Sequence, residues 1–239
     1  VVFKFEEELY AKNGIKATFV GHPLLDILKP DYEKKELLGS LPVKKDTTIF
    51  ALLPGSREKE IKTLLPIMLE ASKLLYEKLD KNAYFIILRS STVKENIFFR
   101  ITRRYNIPLK IISGSTYEGI SASDFAIVAS GTATLETAIL GKPMVIVYKI
   151  SFLTWAILRL MIKIPYIGLV NVVANKKIVA EFIQYGAHPQ KICDYIISLL
   201  KDRERILKTQ ENLKELKNSL GAGGASEKAA QIIIAYLEK

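Results

Sequence analysis

Two short segments carry residue types that suit phosphate binding. Leu53-Pro54-Gly55-Ser56-Arg57 follows an apolar run and leads into helical periodicity. Gly55 permits close backbone approach, Ser56 is suited to capping or donating, and Arg57 is suited to clamping a diphosphate through two N–H donors. Ala129-Ser130-Gly131-Thr132-Ala133-Thr134-Leu135-Glu136 has the same form. There Ser130 and Thr132 place hydroxyls at a helix start, and Glu136 lies one turn beyond Thr132 on the same side. A carboxylate so placed is able to accept both hydroxyls of a ribose while the helix amino terminus holds phosphate. Taken singly, each segment is also explained as an ordinary strand-to-helix turn, one with a surface arginine, the other with a Ser/Thr cap and an early acid. Two such turns spaced for one ligand are harder to explain that way.

Two further segments offer weaker signals. Ile150 to Lys163 is apolar nearly all round, with Arg159 and Lys163 one turn apart, and no acidic residue occurs between Gly141 and Ala180. Phe152 and Trp155 beside unopposed positive charge suit a helix lying in a membrane interface, with aromatic groups in the acyl region and basic heads on lipid phosphate. A buried core helix with two surface charges is the alternative. Asn171 has the donor and acceptor atoms that a uracil edge or a sugar hydroxyl uses, with Gln184 on the following expected helix. A loop asparagine capping a helix explains Asn171 equally well. His22 reads as a connector residue near an interdomain cleft, and His188, before Pro189, as structural.

The elements that must position these residues alternate from Thr47 onward. Apolar runs at Thr47–Leu53, Ala83–Leu88, Leu109–Ile112, Phe125–Ala129 and Pro143–Tyr148 alternate with helical periodicity, the signature of βα units around a parallel sheet. Ile61, Leu64, Leu65, Met68 and Leu69 recur at the spacing of one helix face, so the helix after the first strand is expected to pack on the sheet. After Asn171 the strands are expected to stop, leaving helices at about Lys176–Tyr185, Gln190–Lys201, Arg203–Ser219 and Ser226–Leu237. Gly221-Ala222-Gly223-Gly224 reads as a hinge before the last of them.

The expected domains are thus a connector over 1–46, a Rossmann-like domain over 47–220, and a carboxyl-terminal helix over 221–239 that is free to pack on a preceding domain or on a partner chain. The opening residues read as mid-protein sequence, and an amino-terminal part is expected before Val1.

Composition narrows the class. At 239 residues and 49% hydrophobic content, the chain is long enough for one large α/β domain or two small ones. The single Cys193 excludes an internal disulfide, and no Cys and His pattern has metal-ligand spacing. The net charge of +10 points to an anionic partner: a nucleotide, a lipid surface or nucleic acid. No apolar stretch reaches the ~18 residues that span a bilayer.

Together the motifs closely resemble the lipid-A-disaccharide synthases, glycosyltransferases (family 19, GT-B type) whose two Rossmann-like domains face a cleft. The matching pieces are Phe5-Glu6-Glu7-Glu8-Leu9-Tyr10, Phe19-Val20-Gly21-His22-Pro23, Leu52 to Arg57, Ser130 to Glu136, Pro143-Met144-Val145, Asn171 with its following helix, and Ala225 to Ala230.

The resemblance implies the carboxyl-terminal nucleotide-binding domain of such an enzyme, with a helical tail. The implied reaction transfers 2,3-diacylglucosamine from UDP-2,3-diacylglucosamine to 2,3-diacylglucosamine 1-phosphate and releases UDP, with no metal or other cofactor. By the same likeness Arg57, with Gly55 and Ser56, binds the diphosphate. Ser130, Gly131, Thr132, Thr134 and Glu136 take the phosphates and ribose, and Asn171 with Gln184 the nucleotide or donor sugar. Developing charge on the leaving UDP would be stabilised by an arginine and a helix amino terminus.

The implied partners are the UDP-sugar lipid donor, the acylated sugar phosphate acceptor and an anionic membrane surface met by Phe152, Trp155, Arg159 and Lys163, but no nucleic acid. A homodimer is among the assemblies allowed. The implied location is cytoplasmic and peripheral to the inner membrane.

Two departures from the family pattern stand out. The domain expected to carry the acidic general base has no counterpart in these residues, so the chain is expected to bind UDP weakly and not to turn over substrate alone. Lys176, after Asn175, stands where the family usually has glycine then arginine. The other readings are a peptidoglycan glycosyltransferase, which usually has a more glycine-rich phosphate loop, and a UDP-N-acetylglucosamine epimerase, which needs a carboxylate and histidine cluster. A basic binding module is a third, for which the scattered aromatics are ill suited.

Overall fold

The computed structural model describes residues 1–28, 34–150 and 165–238. The strands are short and mostly apolar: Thr48–Leu53 (β1), Ala83–Arg89 (β2), Leu109–Ser113 (β3), Phe125–Ala129 (β4), Met144–Tyr148 (β5) and Ala180–Ile183 (β6). They pair in the order β3-β2-β1-β4-β5-β6, every neighbouring pair parallel. This is the doubly wound Rossmann order, in which the winding reverses between β1 and β4.

The described helices, in chain order, are Lys4–Lys12 (α1), Leu24–Ile27 (α2), Lys34–Gly39 (α3), Glu58–Lys78 (α4), Glu95–Thr102 (α5), Thr116–Ala122 (α6), Thr132–Ile139 (α7), Leu169–Ala174 (α8), Pro189–Leu200 (α9), Arg203–Ser219 (α10) and Ala225–Leu237 (α11). Residues of α4, α5 and α9 share one core with the sheet face carrying Phe50, Phe85 and Phe125. Residues of α6, α7, α8 and α10 share the other core, with Ala51, Ile86 and Val128. Covered on both faces, β1 and β4 read as unbroken apolar runs rather than alternating ones. The expected face of α4 is buried at Ile61, Leu64, Leu65, Met68 and Leu69, and each such side chain removed from water contributes ~1.5–3 kcal/mol.

The carboxyl-terminal third corrects one expectation. Strands do not stop at Asn171, and Lys176–Tyr185 is not a helix. Asn171 lies inside α8, which Asn175 ends in the left-handed conformation, φ +49. The Asn171 side chain then accepts hydrogen bonds from the amides of Ile178 and Val179, holding that stretch extended. Ala180–Ile183 follows as a sixth strand along Val145–Tyr148. β-branched Ile178 and Val179 favour this course, and the edge of β5 decides it.

The two ends of the chain meet. Leu24, Leu28 and Leu41 are buried in the second core. The His22 amide donates to the Leu220 carbonyl at 2.9 Å, and the Asp26 carboxylate caps α11 by accepting from the amides of Gly224 and Ser226. These bonds hold its pKa below the ordinary carboxylate value. Beyond Ala225 the helix α11 has no buried residue, and Ile233, Tyr236 and Leu237 are exposed.

Candidate functional site

Leu53 of β1 and Val128 of β4 are partners in the parallel register. The chain therefore leaves the two strands side by side, at their carboxyl ends, where the winding order reverses and ligands of this fold class bind. The corners that follow, Gly55-Ser56-Arg57 and Ser130-Gly131-Thr132, line one cleft of about 630 Å³ together with Glu136. The sequence expectation that both glycine corners face a common hollow holds in this geometry.

The second corner is open. Gly131 has φ 154 and ψ −165, a region that only glycine occupies without strain, and a Cβ there would meet nothing within 4 Å. Among the described residues no group accepts from the amides of Gly131, Thr132 or Ala133. Those amides lie at the positive end of α7, an arrangement suited to an anion. The Ser130 hydroxyl fixes the corner by donating to the Ile167 carbonyl at 3.0 Å. Thr134 is buried beneath it and donates to the Gly131 carbonyl at 2.8 Å, so it shapes the corner rather than lining the cleft.

The first corner is not open in the same way. Glu60, which the sequence reading passed over, folds back and accepts from the amides of Ser56 at 3.2 Å and Arg57 at 3.3 Å. Its carboxylate lies against Gly55, where φ is +109 and a Cβ would collide with it. The same carboxylate pairs with Arg57 Nη1 at 3.0 Å. What this corner offers a phosphate is therefore the Arg57 guanidinium, whose side chain is 82% exposed, and not the backbone. An Arg-x-x-Glu spacing at a helix start was the available sequence signal, since an acid three residues in reaches back to the cap.

Glu136 lies between the corners and α6. Its Oε1 accepts from the Tyr117 hydroxyl at 3.2 Å. Burial pushes its pKa above the ordinary carboxylate value, and the Tyr117 bond opposes that rise. Tyr117 and Arg89 also line the cleft. Neither was legible in the sequence, because Tyr117 meets Glu136 across 19 residues of chain only in the folded structure, and Arg89 extends β2 one residue past its apolar run. Among the described residues no group of three or more His, Cys, Asp or Glu could hold a metal ion.

The family model described as lipid-A-disaccharide synthetase matches residues 1–235. The chain belongs to this family. The lipid-A-disaccharide synthase of Syntrophus aciditrophicus is 40% identical over 240 residues, an alignment covering 100% of this chain and 62% of that protein. The Persephonella marina lipid-A-disaccharide synthase is 37% identical, covering 97% of this chain and 63% of its own length. The chain thus spans less than two thirds of these relatives. A solved UDP-GlcNAc 2-epimerase from Neisseria meningitidis, bound to UDP-GlcNAc, superposes with a TM-score of 0.68 at 16% identity, covering 98% of this chain and 60% of that one. At that identity the likeness shows a shared fold.

Within the lipid-A-disaccharide synthase frame, Asn171 and Gln184 stand apart from the cleft. The Asn171 amide donates to the Val179 carbonyl at 2.9 Å and to Glu181 Oε1 at 2.8 Å, while its oxygen accepts from Ile178 and Val179. Both donors and both acceptor positions are used within the fold, so this side chain braces β6 rather than facing a ligand. Gln184 is buried with φ +52, and its oxygen accepts from the Ile150 amide at 3.2 Å. His22 is buried under Phe3 with a ring separation of 5.0 Å, and its pKa is lowered by burial. Lys176 bonds Asn212 and Glu215 on α10. The membrane-contact residues Phe152, Trp155, Arg159 and Lys163 lie outside the described residues. Among those described, no helix is long and apolar enough to cross a membrane.

Proposed function

We propose that this chain is the donor-binding part of an enzyme that transfers 2,3-diacylglucosamine from its UDP derivative to 2,3-diacylglucosamine 1-phosphate, releasing UDP. One observation carries the reading: the open amides of the Gly131 corner and the Arg57 guanidinium line the same cleft as Glu136. The donor diphosphate sits between Gly131, Thr132 and Arg57, with Ser56 and Ser130 shaping the two turns, and the ribose hydroxyls bond the Glu136 carboxylate. As the bond to the sugar breaks, negative charge gathers on the leaving UDP. The α7 amino terminus and Arg57 stabilise that charge more than the ground state, which is the condition for catalysis.

The general base that takes the acceptor proton is assigned to the part of the relatives that this sequence does not span. The exposed apolar face of α11 is assigned to a preceding domain or a second copy of the chain, and the Phe152 to Lys163 segment to the anionic inner-membrane surface. Calorimetric titration of the 239-residue chain with UDP and with RNA at several salt concentrations tests the reading. Saturable one-to-one UDP binding is expected, with RNA bound weakly and only at low salt; RNA binding without UDP binding would overturn it.

A further inference from the structure

Arg89, the last residue of β2, lines the cleft in an unusual state for an arginine. Its Nη1 donates to the Val93 carbonyl at 2.9 Å and its Nη2 to the Ser113 hydroxyl at 2.8 Å. Both partners are neutral. The Nε–H is buried and has no partner, and among the described ion pairs none involves Arg89. A guanidinium has five N–H donors in a rigid fork, so this one is oriented by the fold and still has donors to spare. The residue is only part-buried, so the remaining Nη hydrogens of this guanidinium, which has no carboxylate partner among the described residues, are left for an acceptor in the cleft.

Its position says which part of a nucleotide it meets. β2 lies two strands from β4 in the sheet, about 10 Å away at ~4.8 Å per strand. The open phosphate corner is at the end of β4, and the ribose acceptor Glu136 is tied to Tyr117 on α6. A nucleoside anchored at those two points extends toward the carboxyl ends of β2 and β3, where Arg89 and Ser113 are joined. The loop after Arg89 is also fastened to the phosphate side, since the Thr92 hydroxyl donates to the Ser56 carbonyl at 2.7 Å. Arg89 is thus part of a wall whose distance from the phosphates is set by hydrogen bonds.

We propose that Arg89 is a specificity-determining residue that reads the donor's base through its carbonyl edge, selecting uridine over cytidine nucleotides. The inference rests on the donor-binding reading above and adds the residue that chooses the base. A guanidinium donates and never accepts. Uracil turns two carbonyl oxygens outward, whereas cytosine replaces one with an amino group, itself a donor. Opposite Arg89 that amino group leaves two donors facing each other and both unpaired, the kind of mismatch that discriminates strongly in a desolvated site.

The test compares UDP, CDP and inorganic pyrophosphate by calorimetry on the wild-type chain and on Arg89→Met. The wild type is expected to prefer UDP over CDP by at least about tenfold, and R89M to bring the two within about threefold while pyrophosphate affinity stays within about twofold. Because R89M also removes the bonds to Val93 and Ser113, a second readout uses the unaltered protein. The Arg89 Nε–H resonance in a ¹⁵N spectrum is expected to shift on adding UDP and to stay in place on adding pyrophosphate. Equal weakening of all three ligands in R89M would make Arg89 a phosphate ligand and overturn the inference, as would an unchanged UDP preference. If the wild type binds pyrophosphate and UDP without distinguishing CDP, this inference fails and the donor-site reading stands. If it binds none of them, both fail.

Discussion

The Tyr117 hydroxyl donates to Glu136 Oε1 at 3.2 Å, joining α6 to α7 at the cleft where we propose that the ribose binds. The folded-state pKa of Glu136 is raised by burial and partly restored by this bond. An acid whose folded pKa is raised holds its proton more tightly folded than unfolded. Its contribution to stability therefore falls as pH rises from the unfolded value through the raised folded one. Glu136→Gln is expected to raise the melting temperature at neutral pH while weakening UDP binding. Tyr117→Phe is expected to move the acid limb of the UDP affinity profile to higher pH. A profile that does not move on Tyr117→Phe excludes the carboxylate as the titrating group.

Arg57 is exposed and contributes to the fold only a surface ion pair with Glu60, the kind worth ~0–1 kcal/mol. Arg57→Ala is expected to weaken UDP about tenfold, the loss of a charge-assisted contact, and to leave the urea midpoint nearly unchanged. The salt dependence of UDP binding should flatten in the same variant. An affinity within twofold of wild type would remove Arg57 from the diphosphate site.

Gly131→Ala tests backbone geometry without steric conflict, because the added methyl meets no atom within 4 Å. Holding alanine at φ 154 and ψ −165 costs ~1–3 kcal/mol. The corner is expected to relax and misalign its amides, lowering both the unfolding free energy and pyrophosphate affinity. Unchanged pyrophosphate binding would show that the anion sits elsewhere.

Asn171 gives the opposite pattern. Its substitution by alanine leaves the buried amides of Ile178 and Val179 without acceptors, at ~1–3 kcal/mol for each unsatisfied group. Asn171→Ala is expected to lower the melting temperature markedly, while at a temperature where the variant is folded its UDP affinity stays within about threefold. A selective loss of affinity with unchanged stability would return Asn171 to the ligand site.

The sequence by itself determined the strands from β1 to β5 and located both glycine corners. Those signals are local: an unbroken apolar run such as Phe125 to Ala129, a helical repeat such as Ile61 to Leu69, and a glycine at the junction are legible within a dozen residues. It also carried the family, since the matching pieces keep their order along nearly the whole chain.

The tertiary structure alone decided how the residues at those corners are used. Ala180 to Ile183 became a strand because the Asn171 side chain, bonded to Ile178, Val179 and Glu181, and the edge of β5 were there to receive it. Glu60 filled the amides of Ser56 and Arg57. Arg89, Tyr117 and Glu136 came into one cleft only when β2, α6 and α7 were set around β1. A sequence specifies which groups are able to donate or accept. Which of them remain unsatisfied at the site depends on neighbours distant in the chain, brought within hydrogen-bond reach by packing of the core.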